Sequence, residues 1–530
     1  MNRHRPFAFR HALLAAATSC LLGSCSLVLE FDECRTDDDC LNANGETLVC
    51  NTETLVCEDR PEPVDVVCDD FDTCTDLYGE DSTCGAQGRC VLLTSDECTK
   101  VVHPSGASPD EVVWVGSILA TSEPFTSTIV PIENAIELAI EDFNSVTSLP
   151  DGRKVGWIGC DSRGSASTAA DAAEHLIEDV GVPAIIGPAL SAELLGLAPT
   201  VVDSGTFMIS PSATAASIAG LDDSGLIWRT ISSDAVQANA IADRIASLDP
   251  PPESILVLAK NDAYGVGLFE PMIQRLAAEL PGVPTGSLLY PDPVGLDSAE
   301  VERAYTTVIA EGFAQEADTI VILGASEMLE LLRVYLVAWN NTGILLPRFV
   351  VSHGAVPSLL LAPELVAESF APTLMASLEG VSPAIQDPDN FDAFNIRYRV
   401  LTDDTNPLSA SPLGYDAALV TLLGMVAGGA DRGVDIASAI PRLADTAGTA
   451  LPLGDPRALL DARELLVSGA NLDIGGVSGP LDFDLVAGEI SSNYVGWDIV
   501  PQSGDSAAGQ LVPGRAYVLE NSVEGAWTEL

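Results

Sequence analysis

Residues 184–214 read AIIGPALSAELLGLAPTVVDSGTFMISPSAT and contain one complete strand–helix–strand unit. The apolar run 184–187 predicts a short buried strand that ends at a glycine. Residues 191–204 predict a helix, and residues 207–210 predict a second strand. A helix between two strands is the usual connection between parallel neighbours, whereas a tight hairpin joins antiparallel ones. The stretch therefore predicts a parallel sheet with helices on its faces.

The same alternation continues on both sides of this stretch. It predicts strands at residues 112–119, 155–160, 254–259 and 318–323, and helices at residues 131–144, 168–180, 327–339 and after Tyr264. A chain of 530 residues is too long for one compact core. We therefore expect more than one α/β domain.

Hydroxyl and aromatic side chains follow three of the predicted strands. Ser191 opens the helix after the strand at 184–187, and Ser212 and Thr214 follow the strand at 207–210. Tyr264 follows the strand at 254–259. Ligands of parallel sheets lie at the carboxyl ends of strands, and free N–H groups at a helix start favour an anion. Each residue alone also fits an N-cap or a core-edge position.

The charge balance excludes a nucleic-acid partner. The chain has 24 Lys and Arg against 77 Asp and Glu, a formal net charge of −53. Phosphate contacts need clustered Lys and Arg, so a polyanion would be repelled. The acidity fits a soluble domain outside the cytoplasm and does not bear on the fold.

The first residues predict an export signal. Three arginines within residues 3–10 precede a short apolar run at 12–22, and then comes Leu22-Gly23-Ser24-Cys25. This segment resembles a lipoprotein signal peptide, residues 1–24, with lipid attached to Cys25. The alternative is an ordinary signal peptide. Ser26 favours the outer membrane over the inner one in the sorting pattern that this resembles, and no later segment is expected to cross a bilayer.

Residues 25–100 contain a cysteine-rich tandem repeat, at 34–57 and 68–90. The offset is 34 residues for the first three cysteines and 33 for the fourth, and the paired sets are Cys34, Cys40, Cys50, Cys57 and Cys68, Cys74, Cys84, Cys90. An even number of cysteines in an exported segment with little apolar surface predicts disulfides, but four cysteines allow three pairings. We expect a disulfide-linked spacer.

Apart from Cys20, which falls in the predicted signal peptide, two cysteines remain. We expect a bond between them, Cys98 to Cys160, and the alternative is that one or both stay free. The repeat has no C-x-x-C pair and no histidine, which argues against zinc. Its acidic run Asp37-Asp38-Asp39 lacks the spacing of a calcium loop. We therefore predict no metal and no cofactor.

The chain contains no motif of an enzyme family that we recognise. It has five histidines, of which two fall in the signal segment, and no G-x-S-x-G, H-E-x-x-H or P-loop motif. We predict no catalytic residues, and the protein is expected to bind and not to catalyse.

Six short stretches in a characteristic order carry a family resemblance. They lie at residues 184–191, 209–214, 228–238, 261–267, 414–417 and 479–484. In order and spacing they resemble the periplasmic branched-chain amino-acid-binding proteins, solute-binding lipoproteins of ABC transporters with the type I periplasmic-binding fold. The likeness spans about residues 112–497.

The resemblance implies an α/β fold of two Rossmann-like lobes with parallel sheets, joined by a three-stranded hinge and preceded by the small disulfide-rich segment. Lobe 1 would comprise residues 111–232 and about 372–480. Lobe 2 would comprise residues 233–371 and about 481–530. The lobes would close on a ligand about the hinge.

The resemblance also implies a ligand site. Ser191 and Thr214 would bind a ligand carboxylate by hydroxyl and backbone N–H, Ser212 and Ala213 would offer backbone groups, and Tyr264 would close over the ligand. His353 stands where amino-acid binders usually carry the acidic residue that receives the ammonium, and it is a poor counter-ion for a cation. An α-amino acid ligand is therefore in question.

The sequence thus predicts an exported, lipid-anchored protein that binds a small, carboxylate-bearing solute, an amino acid or similar, for ABC-type uptake or sensing. Its partners would be that solute, an ABC permease or an envelope protein, and the membrane through its lipid. The alternative is an outer-membrane lipoprotein that uses the same fold as a protein–protein module in envelope or cell-wall regulation.

Overall fold

The computed structural model describes residues 49–51, 56–58, 66–340, 342–354, 374, 376–408, 410–502 and 505–530. Side chains are described for all of these except 49–51, 56–58, 501–502 and 505–511. The predicted signal peptide, Cys25, Cys34 and Cys40 lie outside the described residues. The chain divides into two compact units, residues 1–65 and 66–530.

The strands and helices of the described residues alternate as expected. The strands are β1 Val49–Asn51, β2 Val56–Glu58, β3 Ser82–Cys84, β4 Cys90–Leu92, β5 Cys98–Val102, β6 Val112–Leu119, β7 Lys154–Asp161, β8 Ala184–Ile186, β9 Phe207–Ser210, β10 Ile227–Arg229, β11 Ile255–Lys260, β12 Thr285–Tyr290, β13 Thr319–Leu323, β14 Arg348–Val351, β15 Leu378–Pro383, β16 Thr449–Pro452, β17 Leu472–Gly475, β18 Phe483–Asp484, β19 Glu489–Ile490, β20 Tyr494–Gln502, β21 Asp505–Leu519 and β22 Gly525–Glu529. The helices are α1 Asp72–Tyr78, α2 Thr126–Val146, α3 Ala166–Glu174, α4 Ser191–Ser204, α5 Asp234–Ala246, α6 Ala263–Glu279, α7 Ser298–Phe313, α8 Met328–Trp339, α9 Pro388–Leu401, α10 Ser411–Gly428, α11 Gly433–Leu443 and α12 Arg457–Val467. A π-helical turn, His175–Val180, continues α3.

Two eight-stranded sheets form the two lobes. The sheet of lobe 1 has the order β18-β19-β10-β9-β8-β6-β7-β5, and that of lobe 2 the order β12-β11-β13-β14-β15-β20-β21-β22. In each sheet, five consecutive parallel strands follow the 2-1-3-4-5 order of doubly wound folds. In lobe 1, β19 adds a sixth parallel strand beside β10. The predicted fold class, two α/β lobes with parallel sheets, is confirmed.

Both faces of the lobe 2 sheet are buried. Leu256 and Leu258 pack into one apolar cluster, and Val257 and Ala259 pack into another on the opposite face. Side chains of a strand alternate between faces, so a continuous apolar run fills two cores at once. This is why the strands of this protein contain few polar residues.

The chain crosses between the sheets three times, at residues 230–233, 384–387 and 491–493. The predicted second boundary, near residue 372, is about twelve residues early, because β15 extends the lobe 2 sheet beside β14. The third, near residue 480, is about ten residues early, because β18 and β19 pair with the lobe 1 sheet beside β10. Lobe 1 therefore comprises residues 98–229 and 388–490, and lobe 2 residues 234–383 and 494–530.

The second cysteine repeat has a small core of its own. Disulfides join Cys68 to Cys84 and Cys74 to Cys90, and Cys84 lies opposite Cys90 in the β3–β4 hairpin. In the first repeat, the backbone of Cys50 lies opposite that of Cys57 in the β1–β2 hairpin. The two halves of the duplication thus form the same hairpin.

The second repeat is not a free spacer, and this corrects the prediction for that part of residues 25–100. The Ala86 N–H donates to the Asp179 carbonyl at 3.0 Å. A Cβ on Gly85 would lie 2.2 Å from that same carbonyl oxygen, so only glycine permits the approach. A disulfide between Cys98 and Cys160, the expected pair, joins β5 to β7 at the edge of the lobe 1 sheet. The repeat is therefore part of the unit that contains lobe 1.

One helix of the described chain, α10, is long and apolar enough to cross a membrane by length and composition. It is 89% buried inside the protein. It packs against α2, α11 and α12, which accounts for its apolar character as a core helix of lobe 1.

Candidate functional site

A cavity of about 90 Å³ lies between the two lobes, where the carboxyl ends of both parallel sheets meet. Four of the six residues predicted to bind ligand line it: Ser191, Ser212, Tyr264 and His353. The expected location at the strand ends agrees with this cavity. Ala213 and Thr214 lie behind the cavity wall and are fully buried.

Ser191 and Ser212 form the polar end of the cavity in lobe 1. Ser191 is the first residue of α4, and the side chain of the N-cap residue, Leu190, accepts no hydrogen bond from the first turn. The first backbone N–H groups of a helix have no acceptor within the helix, and they carry the positive end of its dipole. No hydrogen bond to the Ser212 hydroxyl is found among the described residues. This end of the cavity suits an anionic group.

The amide of Thr214 is not free, contrary to the expectation that it would bind a carboxylate. It donates to Ser191 Oγ at 3.2 Å, and the Ala215 amide donates to the same oxygen at 3.1 Å. The amide of Ala213 donates to Ser210 Oγ at 2.9 Å. The hydroxyls of Ser191, at the start of α4, and Ser210, at the end of β9, thus satisfy these amides, and Ala213 and Thr214 shape the cavity from behind.

Tyr264 and His353 form the lobe 2 side. Tyr264 lies in the first turn of α6, and its hydroxyl is 3.2 Å from His353 Nδ1. The two rings meet edge to face at 5.5 Å. The His353 amide donates to Gln237 Oε1 at 2.8 Å, which ties this loop to α5. Although part of its surface faces the cavity, burial lowers the pKa of His353 to about 4, so the ring is neutral near pH 7.

Lys260 is a lining residue that the sequence analysis missed. Its Nζ lies 3.1 Å from Asp262 and 3.3 Å from Asp292, and 5.7 Å from the centre of the Phe125 ring in lobe 1. Burial alone would lower its pKa, but the carboxylates of Glu327, Asp262 and Asp292 outweigh burial and raise it. The feature of the sequence that could have indicated this residue is its position, as a single lysine directly after the predicted strand 254–259. Its burial was not readable from the sequence.

The ion pairs of Lys260 also determine which negative charges in the cavity remain free to bind a ligand. Asp262 accepts from the Gly265 amide as well as from Lys260, so both of its oxygens have protein partners. Its carboxylate is the only one that lines the cavity within the described residues. Among the described lining residues, the cavity therefore offers a ligand ammonium no free counter-ion.

The rest of the wall is mostly apolar. Its apolar side chains come from α2 and the residue before it, from the hinge region and from the start of α10, and they include Phe125, Ile129, Ile132, Ile231, Pro383, Leu408, Ala410 and Leu413. The hydroxyl of Thr128, which also lines the cavity, donates to the Phe125 carbonyl at 2.8 Å. Helix α2, predicted at residues 131–144, begins five residues earlier than predicted, at Thr126. The cavity thus joins one polar end to an apolar body, as in sites for small organic solutes.

The lobes touch at the rim of the cavity. Ser326 Oγ of lobe 2 donates to the Pro124 carbonyl of lobe 1 at 3.2 Å. Beneath the cavity, Ser232 Oγ and Ser492 Oγ of two hinge crossings lie 2.7 Å apart. The structure therefore represents the closed arrangement of the lobes.

One group of residues has the geometry of a metal site within the described chain. It consists of Cys68, Cys74 and Cys90. Both disulfides of the second repeat consume these sulfurs, which leaves no thiolate for a metal.

Comparisons with known proteins agree with this architecture. A family model described as periplasmic binding protein matches residues 112–457. The chemotactic signal transduction system substrate-binding protein BasB of Halobacterium salinarum is 24% identical over 380 residues, which are 70% of this chain and 83% of the relative.

Among solved structures, the leucine-binding protein LivK of Thermotoga maritima superposes with a TM-score of 0.58 at 19% identity, covering 76% of this chain and 97% of that one. A solute-binding protein of an ABC transporter from R. palustris, in complex with 4-hydroxybenzoate, has a TM-score of 0.58 at 15% identity, covering 76% and 96%. At these identities the likeness shows the fold.

Proposed function

Since the chain belongs to the periplasmic binding protein family, we propose that it captures a small carboxylate-bearing solute between its lobes, outside the cytoplasm, for ABC-type uptake or sensing. The supporting observation is the cavity between the lobes, in which the uncapped start of α4, with Ser191, meets Ser212. Binding and lobe closure, without catalysis, are the proposed activity. One relative is named for chemotactic signalling and one solved neighbour for an ABC transporter, so the proposal includes both sensing and uptake.

The ligand is proposed to be a carboxylate with an apolar body and no α-ammonium group. The polar end offers N–H and hydroxyl donors, which match a carboxylate. The neutral His353 and the paired Asp262 offer no counter-charge to an ammonium. A buried cation without a partner is strongly disfavoured, so an α-amino acid should bind poorly.

A matched pair of solutes tests this ligand class. 4-Methyl-2-oxopentanoate and L-leucine share the carboxylate and the isobutyl chain and differ only in the group on the second carbon. We expect the oxo acid to raise the melting temperature, since a solute at 100 times its Kd stabilises by about 2.7 kcal/mol. L-Leucine should have little effect. Tighter binding of L-leucine would refute the proposed class.

A wider set of solutes tests the function itself. Benzoate, 4-hydroxybenzoate and 3-methylbutanoate extend the set, and melting temperatures with and without each solute are the measurement. If none of them, nor L-leucine, binds, solute capture fails and the envelope protein–protein module becomes the better hypothesis.

The lipid anchor is a separate part of the proposal. Cys25 would carry the lipid and, with Ser26, direct the protein to the outer membrane. Mass spectrometry of the purified N-terminal peptide should detect a diacylglyceryl group on Cys25, and Cys25→Ser should release the protein from membranes. An unmodified Cys25 peptide would refute the anchor and leave the binding site untouched.

A further inference from the structure

A carboxyl group without a partner is buried between the lobes. Glu193 lies in the first turn of α4, two residues after Ser191, and is 1% exposed. Neither of its carboxyl oxygens, nor the neighbouring Ser162 hydroxyl, has a hydrogen-bond partner in the described part of the chain. A buried charge without a partner is costly, and such a group favours its neutral form.

The charged groups around Glu193 come from both lobes. From lobe 1, Asp161 at the end of β7 faces it, and from lobe 2, Lys260 at the end of β11 and Asp292 after β12. Lys260 stabilises the ionised form of Glu193, whereas Asp161 and Asp292 oppose it. Lys260 is already paired with Asp262 and Asp292, and these carboxylates largely compensate its charge. Lys260 therefore stabilises the ionised form of Glu193 only weakly.

Elements of lobe 2 pack against the part of lobe 1 that contains Glu193. Helix α6 packs against α4 across the cleft, and Val294 of the loop after β12 packs against the apolar core of lobe 1. Separation of the lobes would move these elements away from α4 and open its first turn to water. We therefore expect the burial of Glu193 to depend on closure.

We infer that lobe closure moves the Glu193 carboxyl from water into the contact between the lobes, where it takes up one proton. Solute capture by the proposed function is then coupled to proton uptake, and the closed form is favoured in acid. The expected pH dependence of closure applies to the solute-free protein as well.

The direction of the effect follows from the two environments. In the closed form, burial raises the pKa of Glu193 from 4.5 to about 7, and the nearby charge of Lys260 opposes this only in part. In the open form the group is exposed to water and keeps its ordinary value. Between these two values only the closed form holds the proton, so the closure constant falls up to about tenfold per pH unit as pH rises. Below and above this window the constant does not change through Glu193.

Another buried carboxyl group, that of Asp234, lies at the hinge, and its contribution to the pH dependence of closure has to be distinguished from that of Glu193. It is fully buried at the start of α5, and burial raises its pKa to about 7, while Thr214 and Arg229 lower it. Its N–H donates to the Thr214 carbonyl of lobe 1, and its carboxyl group accepts from Gln237 of its own helix. Substitution of Glu193 alone leaves this group in place, so the difference between variants isolates Glu193.

Small-angle X-ray scattering of the solute-free protein tests the inference at pH 5.5 and 7.5. The wild type should expand at the higher pH as the lobes open. Glu193→Gln copies the protonated group and should stay compact at both values. Asp203→Asn removes the same charge from an exposed position of the same helix and should behave like the wild type. An equal response of the Gln variant and the wild type, including no response in both, would overturn the inference.

Calorimetry with 4-methyl-2-oxopentanoate at pH 6, in two buffers of different ionisation enthalpy, counts the protons taken up on binding. The wild type should take up close to one more proton per solute than Glu193→Gln, and equal uptake in both would contradict the coupling. If no solute binds, the proposed function fails, whereas the scattering experiment still decides the role of Glu193.

Discussion

The hydroxyl of Ser191 has two roles that one pair of variants can separate. Its oxygen accepts the buried amides of Thr214 and Ala215, at 3.2 and 3.1 Å, and the residue also lines the cavity. Ser212 lines the same cavity, and its hydroxyl makes no hydrogen bond within the described residues. Ser191→Ala should therefore impair folding and binding, and Ser212→Ala only binding.

The expected size of the effect follows from the two amides. Each buried donor that loses its acceptor costs about 1–3 kcal/mol, so Ser191→Ala, which removes the acceptor of two amides, should destabilise lobe 1 by about 2–6 kcal/mol. At about 2–4 °C per kcal/mol, the melting temperature should fall by about 4–24 °C. Ser212→Ala should leave it unchanged. Loss of one hydrogen bond to a carboxylate should weaken binding by about tenfold to a hundredfold.

Differential scanning calorimetry of the two variants, with and without 4-methyl-2-oxopentanoate, provides both measurements. Ser191→Thr is the matched control, because it restores an oxygen at the same position. A wild-type melting temperature for Ser191→Ala, together with a lower one for Ser212→Ala, would refute the assignment of the two hydroxyls.

Three further results are expected. The pKa of His353 is lowered in the folded protein to about 4, so its contribution to stability is complete above pH 6.5 and is lost as pH falls towards 4, by about 3 kcal/mol in total. The wild type should therefore lose stability in this pH range more steeply than His353→Gln. An NMR titration that finds the ring charged at pH 6 would contradict this. Peptide mapping should find bonds Cys34–Cys50 and Cys40–Cys57, the pairing that the second repeat adopts, and a bond between Cys50 and Cys57 would contradict the repeat argument. Added NaCl should raise the melting temperature, because a net charge of −53 repels itself and about 1 M salt shortens the screening length to about 3 Å; a falling melting temperature would show that ion pairs outweigh this repulsion.

Much of the candidate site could be predicted because it lies at strand ends. Ser191, Ser212, Tyr264 and His353 each follow a parallel strand, and such strands bring their carboxyl ends to one edge of the sheet. The role of Thr214 was beyond this reasoning, since the acceptor of its amide, Ser191, is 23 residues away.

The sequence by itself determined the order of strands and helices, the α/β class and the duplicated cysteine repeat. These features depend on local periodicity and spacing, which each segment carries without its neighbours. The lobe boundaries needed the structure, because β15 and β19 are assigned by pairing with strands far away in the chain. The same is true of Lys260 and Glu193. Their burial and their charges depend on groups that only the closed lobes bring together, and the electrostatic effect of a neighbour depends on its distance in space.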